Sequence, residues 1–397
     1  MTTPTPAEPG PATRLLHAGR APLQDGAGPL NVGVTRGSTL RVASSAERQS
    51  RWQRRLAGDN VAAYGIHGFD THRALEDALL ALEGGDRAFL APSGHAAIML
   101  VLLALLSHGD HALVSDAAYA PIRRSHQTLL ARLGISLSYF SPGRDDLAAH
   151  LRPNTRLLYL ESPGSFLGEI LDLPALAGQA RARGIPVAVD NTWGAGLLLR
   201  PLELGADVSI QAGTKYLGGH ADLLLGSVVS ASDALSRRIA ATSDALGLSV
   251  GADDAWLALR GLRTLPVRLA QHQSSALEVA RFLQGRAEVK RVFYPALQDD
   301  PGHALWQRDF DGANGLLAFE LQPGHSGAAF VDTLRLFSIG ASWGGYDSLA
   351  LLADSDRLAV QGHWHAIGGQ GDVVRLHVGL EDPPDLIADL AQAFGAI

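Results

Sequence analysis

The segment Val208-Ser-Ile-Gln-Ala-Gly-Thr-Lys-Tyr-Leu-Gly-Gly-His220 joins a short aliphatic run to a lysine that lies among glycines. Lys215 and Lys290 are the two lysines of a 397-residue chain whose other cationic positions are arginines. Arginine keeps its proton, whereas a desolvated lysine can lose one and act as a nucleophile. Lys215, placed just after a predicted strand, therefore indicates Schiff-base chemistry; the alternative is a helix-end cation or a structural salt bridge. Lys290 lies in a polar stretch and is interpreted as a surface charge.

On both sides of this segment, short aliphatic runs alternate with longer helical stretches. The predicted strands are Ala88–Ala91, Ala112–Ser115, Leu157–Leu160, Val187–Val189, Val208–Gln211 and Leu223–Val229. Strands that alternate with helices predict an α/β fold with a mostly parallel sheet covered on both faces. We expect this α/β region to span residues 61–255. A smaller α+β domain would follow over 256–397, and residues 1–60, polar and broken by Gly and Pro, would form an N-terminal arm that makes subunit contacts.

Composition excludes several classes of protein. With 46% hydrophobic residues the chain can bury a large core, and a net charge of −7 argues against a nucleic-acid partner. The absence of cysteine excludes disulfides and thiolate chemistry and fits a cytoplasmic location. The longest apolar run, Ala96–Leu106, has eleven residues, fewer than the roughly 20 that cross a bilayer, so it predicts a buried helix and no membrane association. Two histidine pairs, at 108/111 and 363/365, lack a third ligand at a diagnostic spacing, so we predict no metal site.

Polar residues follow five of the predicted strands, at the edge where such sheets bind ligands. A Schiff-base lysine needs a carbonyl partner, for which pyridoxal phosphate (PLP) is the obvious cofactor. Asp190 is placed to keep the pyridine nitrogen protonated, and the alternative is an aspartate that caps a turn. Ser93, Gly94 and His95 open a helix whose amides suit a phosphate, with a hydroxyl from Thr214; a plain N-cap at Ser93 is compatible with this. Tyr119 is the candidate to stack on the ring, although an isolated tyrosine is more often a core residue.

Five segments resemble signatures of the Cys/Met-metabolism family of PLP enzymes. They are Glu161-Ser-Pro163, Val189-Asp-Asn-Thr-Trp193, the Thr-Lys-Tyr-x-x-Gly-His-x-Asp run from Thr214 to Asp222, Arg260-Gly-Leu-Arg-Thr264 and Arg375-Leu-His-Val-Gly-Leu-Glu381. The likeness covers the chain from His17 to about Asp382 and implies a PLP-dependent transferase-like fold. Within the family, Ser338-Ile-Gly-Ala-Ser-Trp-Gly-Gly-Tyr346 is most similar to bacterial enzymes of the cystathionine β-lyase type.

The resemblance also implies roles for individual residues. Lys215 would bind PLP and act as acid and base at Cα, with further catalytic roles for Tyr119 and Tyr64. Arg375 would bind the substrate carboxylate, assisted by Ser342 and Trp343. The further residues expected to bind the cofactor are Tyr64 and His67, from a neighbouring subunit, and Ser165, near the phenolic oxygen of PLP.

The implied activity is β-elimination of L-cystathionine to homocysteine, pyruvate and ammonia by a cytoplasmic homotetramer. The alternatives are a cystathionine γ-lyase or γ-synthase, a methionine γ-lyase, a cysteine-conjugate β-lyase or, more remotely, a non-catalytic protein with the same fold. Three departures affect the phosphate end or the substrate entrance: Tyr64-Gly-Ile-His67 lacks the family's arginine, Gly68-Phe-Asp-Thr71 replaces Gly-Thr-Pro-Thr, and Ala212 and Gly213 stand where a serine is usual. They leave the identity of the sulfur substrate less well defined than the identity of the cofactor.

Overall fold

A computed structural model of the protein describes residues 9–397, except 22, 24, 143, 144 and 354 and the side chain of 357. The first eight residues of the predicted arm thus lie outside the described residues. The larger sheet contains the strands β1 (Arg87–Ala91), β2 (His111–Ser115), β3 (Ser136–Phe140), β4 (Thr155–Glu161), β5 (Val187–Asp190), β6 (Val208–Ala212) and β7 (Gly226–Ser230). Their order is β1-β7-β6-β5-β4-β2-β3; β7 runs antiparallel to β1 and β6, and the other neighbouring strands pair in parallel.

All six predicted strands lie in this sheet. The sixth begins three residues later than expected, at Gly226, and β3 was not predicted. Strand β3 lies at the edge of the sheet, where Ser136 and Ser138 are half-buried and interrupt the apolar run that made the other strands recognisable. The parallel strands β4, β5 and β6 all end at one edge, where Glu161 pairs with Asp190 and β6 runs two residues beyond the partner of Asp190, to Ala212.

Helices cover both faces of the sheet. The helices of the first 246 residues are α1 (Pro11–His17), α2 (Ser45–Leu56), α3 (Asp70–Glu83), α4 (Gly94–Leu105), α5 (Pro121–Ser125), α6 (Leu147–His150), α7 (Leu173–Arg181) and α8 (Asp233–Leu246), with a π-helical turn at His126–Leu130 and 3₁₀ turns at Gly65–His67 and Ala131–Leu133. Helix α4 packs with Ile210 and Tyr159 on one face, whereas α3 packs with Val189 and Leu160 on the other.

A second, smaller sheet follows. Its strands are β8 (Val289–Phe293), β9 (Leu316–Leu321), β10 (Ser338–Ile339), β11 (Leu349–Leu352) and β12 (Val373–His377), in the order β10-β11-β12-β9-β8. The remaining helices are α9 (Ala252–Leu262), α10 (Leu265–Gln284), α11 (His303–Asp309), α12 (Gly327–Thr333), α13 (Ser355–Ala359), α14 (Gly362–Ala366) and α15 (Pro383–Phe394). The predicted fold class is confirmed, while the domain limits at residues 60 and 255 stay predictions.

Two further features bear on the sequence-based expectations. Within the described ranges, no helix is both long and apolar enough to cross a membrane. Lys290 is less exposed than its polar surroundings indicated: its Nζ donates to Glu320 Oε1 and to the Gly368 carbonyl, both at 2.9 Å, and the Glu320 side chain is buried. Lys290 therefore neutralises a buried carboxylate and is more than a surface charge.

Candidate active site

Lys215 lies in a tight turn directly after β6. Its amide donates to the Ala212 carbonyl, and its own carbonyl accepts from the Gly219 amide at 2.8 Å, so the backbone of the turn is fixed on both sides of the lysine. The Lys215 Nζ donates to Ser342 Oγ at 2.7 Å. Burial and, next, the nearby Arg375 guanidinium lower the pKa of Lys215 to about 8. The lowered pKa raises the fraction of neutral amine near neutral pH, and a nucleophilic lysine must be neutral to react.

Asp190 is the last residue of β5, and its side chain is buried. The carboxylate accepts hydrogen bonds from the Thr192 amide and hydroxyl, at 3.1 and 2.5 Å, and from the Tyr159 hydroxyl at 3.3 Å. Burial raises the pKa of Asp190, although these hydrogen bonds and the charge of Lys215 oppose the shift. A buried carboxylate that receives mainly neutral donors is stabilised further by a cation placed beside it.

Thr192 connects Asp190 to the lysine turn, a link that the sequence reasoning missed. Its hydroxyl donates to Asp190 Oδ1 and accepts from the Ala212 amide at 2.9 Å. The Ala212 carbonyl in turn accepts from the Lys215 amide at 3.0 Å. One hydroxyl thus ties the end of β5 to the end of β6 on the face where Asp190 lies. The quoted segment Val189–Trp193 contained Thr192, but only the fold shows what it contacts.

Helix α4 begins beside this turn. Ser93 is its N-cap and accepts from the Ala96 amide at 3.1 Å, as predicted, which leaves the Ser93 hydroxyl proton free to donate elsewhere. A Cβ on Gly94 would lie 2.4 Å from the Ala212 Cβ, so only glycine lets α4 start this close to β6. First-turn amides have no partner inside a helix. The amides at Gly94 and His95 therefore suit an anion.

Tyr119 and Glu161 are held together at the same edge of the sheet. The Tyr119 amide donates to Glu161 Oε2 at 2.6 Å, and the half-exposed Tyr119 ring meets the His95 ring edge-on, with centroids 6.3 Å apart. Ser165 donates its hydroxyl to the Glu161 carboxylate as well. Burial, and next the charge of Asp190, raise the pKa of Glu161 well above its usual range. Glu161 thus positions Tyr119 and Ser165, the two predicted contacts to the ring of the cofactor.

Arg375 and the loop Ser342–Gly345 approach Lys215 from the smaller sheet. Arg375 is buried in β12, with its guanidinium 5.0 Å from the Phe166 ring, and its charge acts on Lys215. The Lys215 Nζ lies 5.3 Å from the ring centre of Trp343. A Cβ on Gly344 would lie 2.9 Å from the Lys215 carbonyl carbon, so the loop packs directly on the lysine turn.

His377, which the sequence reasoning did not single out, supports this loop. Its Nε2 lies 3.1 Å from the Gly344 amide and 3.0 Å from the Gly345 carbonyl oxygen. Burial lowers the pKa of His377 to about 3, so the ring stays neutral and can accept from the Gly344 amide. The signal was present in the sequence, because His377 lies two residues after Arg375 in the same quoted segment.

Two of the predicted cofactor residues, Thr214 and His67, have other contacts within the chain. The Thr214 hydroxyl exchanges hydrogen bonds with the backbone of Leu225, at 3.1 and 3.2 Å. The His67 Nδ1 accepts from the amides of Ala63 and Tyr64, and burial lowers the pKa of its ring. This geometry favours a structural role for His67 over a phosphate contact. Tyr64 is half-exposed on the adjacent 3₁₀ turn, as a residue offered to a neighbouring subunit would be, and that role stays a prediction.

The arrangement as a whole fits PLP. The Asp190 carboxylate suits a protonated ring nitrogen, Lys215 suits the aldehyde, and the start of α4 suits the phosphate. Arg375 has the planar fork that binds a carboxylate by two hydrogen bonds. A cavity of about 540 Å³ lined by Thr214, Ser342 and Trp343 adjoins the lysine turn. A larger cavity, of about 630 Å³, is lined by Glu169, Asp300 and Lys290 and has none of the residues of this site on its walls.

Comparison with known proteins agrees with this geometry. The sequence model of the family described as "Cys/Met metabolism PLP-dependent enzyme" matches residues 12–395. A cystathionine β-lyase of Bordetella avium is 52% identical over 384 residues, which cover 96% of either chain. The Escherichia coli cystathionine β-lyase MetC is 40% identical, with 97% of this chain and 98% of the relative covered.

A solved structure extends the likeness to three dimensions. The crystal structure of cystathionine γ-lyase from Lactobacillus plantarum complexed with L-serine superimposes with a TM-score of 0.87 and 29% identity, covering 98% of this chain and 99% of the other. The fold, the lysine turn and its partners, and the sequence match over nearly the whole length all lead to one assignment. The chain belongs to the Cys/Met metabolism family of PLP-dependent enzymes.

Proposed function

We propose that the protein is a PLP-dependent carbon–sulfur lyase that cleaves L-cystathionine by β-elimination. With water, the reaction gives homocysteine, pyruvate and ammonia. The observation that carries the proposal is the Lys215 amine, which is hydrogen-bonded to Ser342 and has a pKa lowered by burial and by the charge of Arg375, in a chain that is 52% identical to a cystathionine β-lyase. A proton acceptor and a carboxylate-binding guanidinium are the two groups that removal of an α-proton from an amino acid demands.

Bound PLP supplies an electron sink for the negative charge that develops on the substrate Cα. The residues of the chain supply binding and proton transfer around it. Arg375 holds the substrate α-carboxylate and so fixes which bond at Cα faces the lysine. The Lys215 amine then takes the Cα proton, while its hydrogen bond to Ser342 Oγ controls the direction of the amine. The Cβ–S bond breaks, and its electron pair leaves with the sulfur of homocysteine.

Asp190 and the start of α4 support this chemistry from the cofactor side. The buried Asp190 carboxylate keeps a proton on the ring nitrogen, and the Thr192 hydroxyl holds the carboxylate in place. Ser93, Gly94 and His95 bind the phosphate through amides and a hydroxyl. Tyr119, positioned by Glu161, stacks on the ring. We further propose a cytoplasmic homotetramer in which Tyr64 completes the active site of a neighbouring subunit.

Product analysis tests the proposal. Purified protein incubated with L-cystathionine should release pyruvate and homocysteine in equal amounts, measured by mass spectrometry, with Lys215→Arg as the inactive control. Release of 2-oxobutyrate and cysteine instead would identify a γ-lyase and refute β-elimination. Steady-state kinetics on cystathionine, cystine and cysteine then rank the substrates, and we expect the highest kcat/KM for cystathionine.

A further inference from the structure

The carboxylate of Glu83 lies at a position that disfavours its negative charge. It is the last residue of α3, is 1% exposed, and contacts no cation among the residues that the structure describes. Burial raises the pKa of Glu83, and the carbonyl end of a helix disfavours negative charge. An apolar residue at this position would avoid both the burial of a charge and its repulsion by the helix end. The carboxylate must therefore contribute specific hydrogen bonds, which apolar packing cannot supply.

The Glu83 carboxylate accepts hydrogen bonds from three donors, two on β6 and one just after β5. Ser209 Oγ and Gln211 Nε2, both on β6, donate to its two oxygens, and Asn191 Nδ2, just after β5, donates at 3.3 Å. Asn191 directly follows Asp190, and Gln211 lies four residues before Lys215. Glu83 therefore bridges the two segments that carry the cofactor-binding aspartate and lysine.

Two of the three donors, Asn191 and Gln211, lie where the backbone ladder between these strands stops, whereas Ser209 lies opposite Val189 inside the ladder. The register of β5 with β6 ends at Asp190 opposite Ile210, followed by one bond from the Asn191 amide to the Ile210 carbonyl at 2.7 Å. Beyond that bond, side chains link the two segments. Thr192 does so on the face of the sheet that Asp190 shares with α4, and Glu83 does so on the opposite face, under α3.

We propose that Glu83 is a positioning residue for PLP, setting the distance and angle between Asp190 and Lys215 from the far side of the sheet. It contacts neither the cofactor nor the substrate. The inference rests on the proposed site, in which Asp190 and Lys215 hold PLP, and adds to it a residue outside the cavity. Partners that orient binding groups in this way typically contribute about tenfold to a hundredfold in affinity or activity.

The test is Glu83→Gln, which keeps the shape of the side chain. It replaces one of the two acceptor oxygens by an NH2 group, which would face the donors of its partners. We expect the dissociation constant of PLP, measured by adding PLP to the apoprotein, to rise roughly tenfold. The pH midpoint of the visible absorbance of bound PLP should shift, and kcat should fall while KM for cystathionine stays within about threefold. The binding readouts need no substrate, so a wild-type protein that failed to cleave cystathionine would refute the proposed function and leave this test intact.

Asp389→Asn is the matched control. Asp389 is also a buried carboxylate held by neutral donors, the amides of Arg335, Leu336 and Phe337, but it lies on α15, away from the lysine turn. Both substitutions should lower the Tm, whereas Asp389→Asn should leave the PLP dissociation constant unchanged. If Glu83→Gln lowers the Tm and leaves PLP binding, the pH midpoint and kcat within twofold of wild type, Glu83 is merely structural and the proposal fails.

Two further variants keep the proposal testable if Glu83→Gln does not fold. Ser209→Ala removes one of the three donors and should weaken PLP binding about threefold, by the loss of part of one hydrogen bond; wild-type affinity would contradict the proposal. The exchange Glu83→Gln with Gln211→Glu restores a carboxylate–amide pair across the same gap. It should recover PLP affinity toward wild type, and an exchange that binds PLP no better than Glu83→Gln alone contradicts the pairing.

Discussion

The Lys215 Nζ and the Ser342 Oγ, 127 positions apart in the chain, are joined by a hydrogen bond of 2.7 Å. Lys215 follows a strand of the larger sheet, and Ser342 belongs to a loop of the smaller one. The bond therefore makes the position of the amine depend on how the two sheets pack, while Gly344 lets the loop approach the lysine backbone. Residues that hold this loop, His377 above all, act on the amine without touching it.

Lys215→Arg should abolish turnover and the visible absorbance of lysine-bound PLP, because a guanidinium neither forms a Schiff base nor gives up a proton at Cα. The circular dichroism spectrum should be unchanged. Lys290→Arg is the matched control, since arginine can still neutralise Glu320, and it should retain wild-type kcat. An active Lys215→Arg enzyme would overturn the assignment of the nucleophile.

Thr192→Val should weaken both PLP binding and turnover. Valine has the shape of threonine but lacks the hydroxyl that donates to Asp190 and accepts from the Ala212 amide. The loss leaves the Ala212 amide and the buried Asp190 carboxylate each without one partner, at a cost of about 1–3 kcal/mol, and we expect kcat to fall roughly tenfold or more. Thr242→Val, which removes a hydroxyl that donates to the Arg238 carbonyl within the same helix, is the control and should keep its activity.

Arg375→Lys should raise KM for cystathionine far more than it lowers kcat. Lysine keeps the charge but loses the planar fork that binds a carboxylate by two hydrogen bonds. Loss of one charged hydrogen bond costs about 1.5–3 kcal/mol, so KM should rise roughly tenfold to a hundredfold. Arg200→Lys, at a surface ion pair with Glu203 and Asp311, controls for the exchange itself. Equal effects of the two substitutions on KM would show that Arg375 does not bind the substrate.

The strands of the site could be predicted because each is a short apolar run that ends in a polar residue. This pattern located Asp190 and Lys215 and placed them at one edge of the sheet, as observed. It failed for β3, whose serines break the apolar run. It also misjudged Lys290, because a polar neighbourhood in sequence gives no sign of the buried Glu320 thirty positions away that the lysine neutralises.

The residues that support the site could not be predicted from the sequence, for a related reason. The donors to Glu83 lie 108, 126 and 128 positions away, so no local spacing connects them. Thr192 and His377 lay inside recognised segments, but their roles depend on which backbone atoms face them after folding. His67 shows the converse: its place in the chain pointed to the phosphate, whereas its ring nitrogen accepts from the amides of Ala63 and Tyr64.

The pH dependence of PLP attachment follows from the shifted pKa of Lys215. Burial and the Arg375 charge lower this pKa from 10.5 to about 8, so the apoprotein gains neutral, nucleophilic amine as the pH rises through 8. The rate of Schiff-base formation, followed by visible absorbance after mixing with PLP, should rise with a midpoint near pH 8 and level off about one pH unit higher. Arg375→Leu removes a positive charge that lowers the pKa, so its rate should level off at higher pH. A wild-type rate that keeps rising toward pH 10, or a midpoint that Arg375→Leu leaves unmoved, would contradict the electrostatic coupling between these two residues.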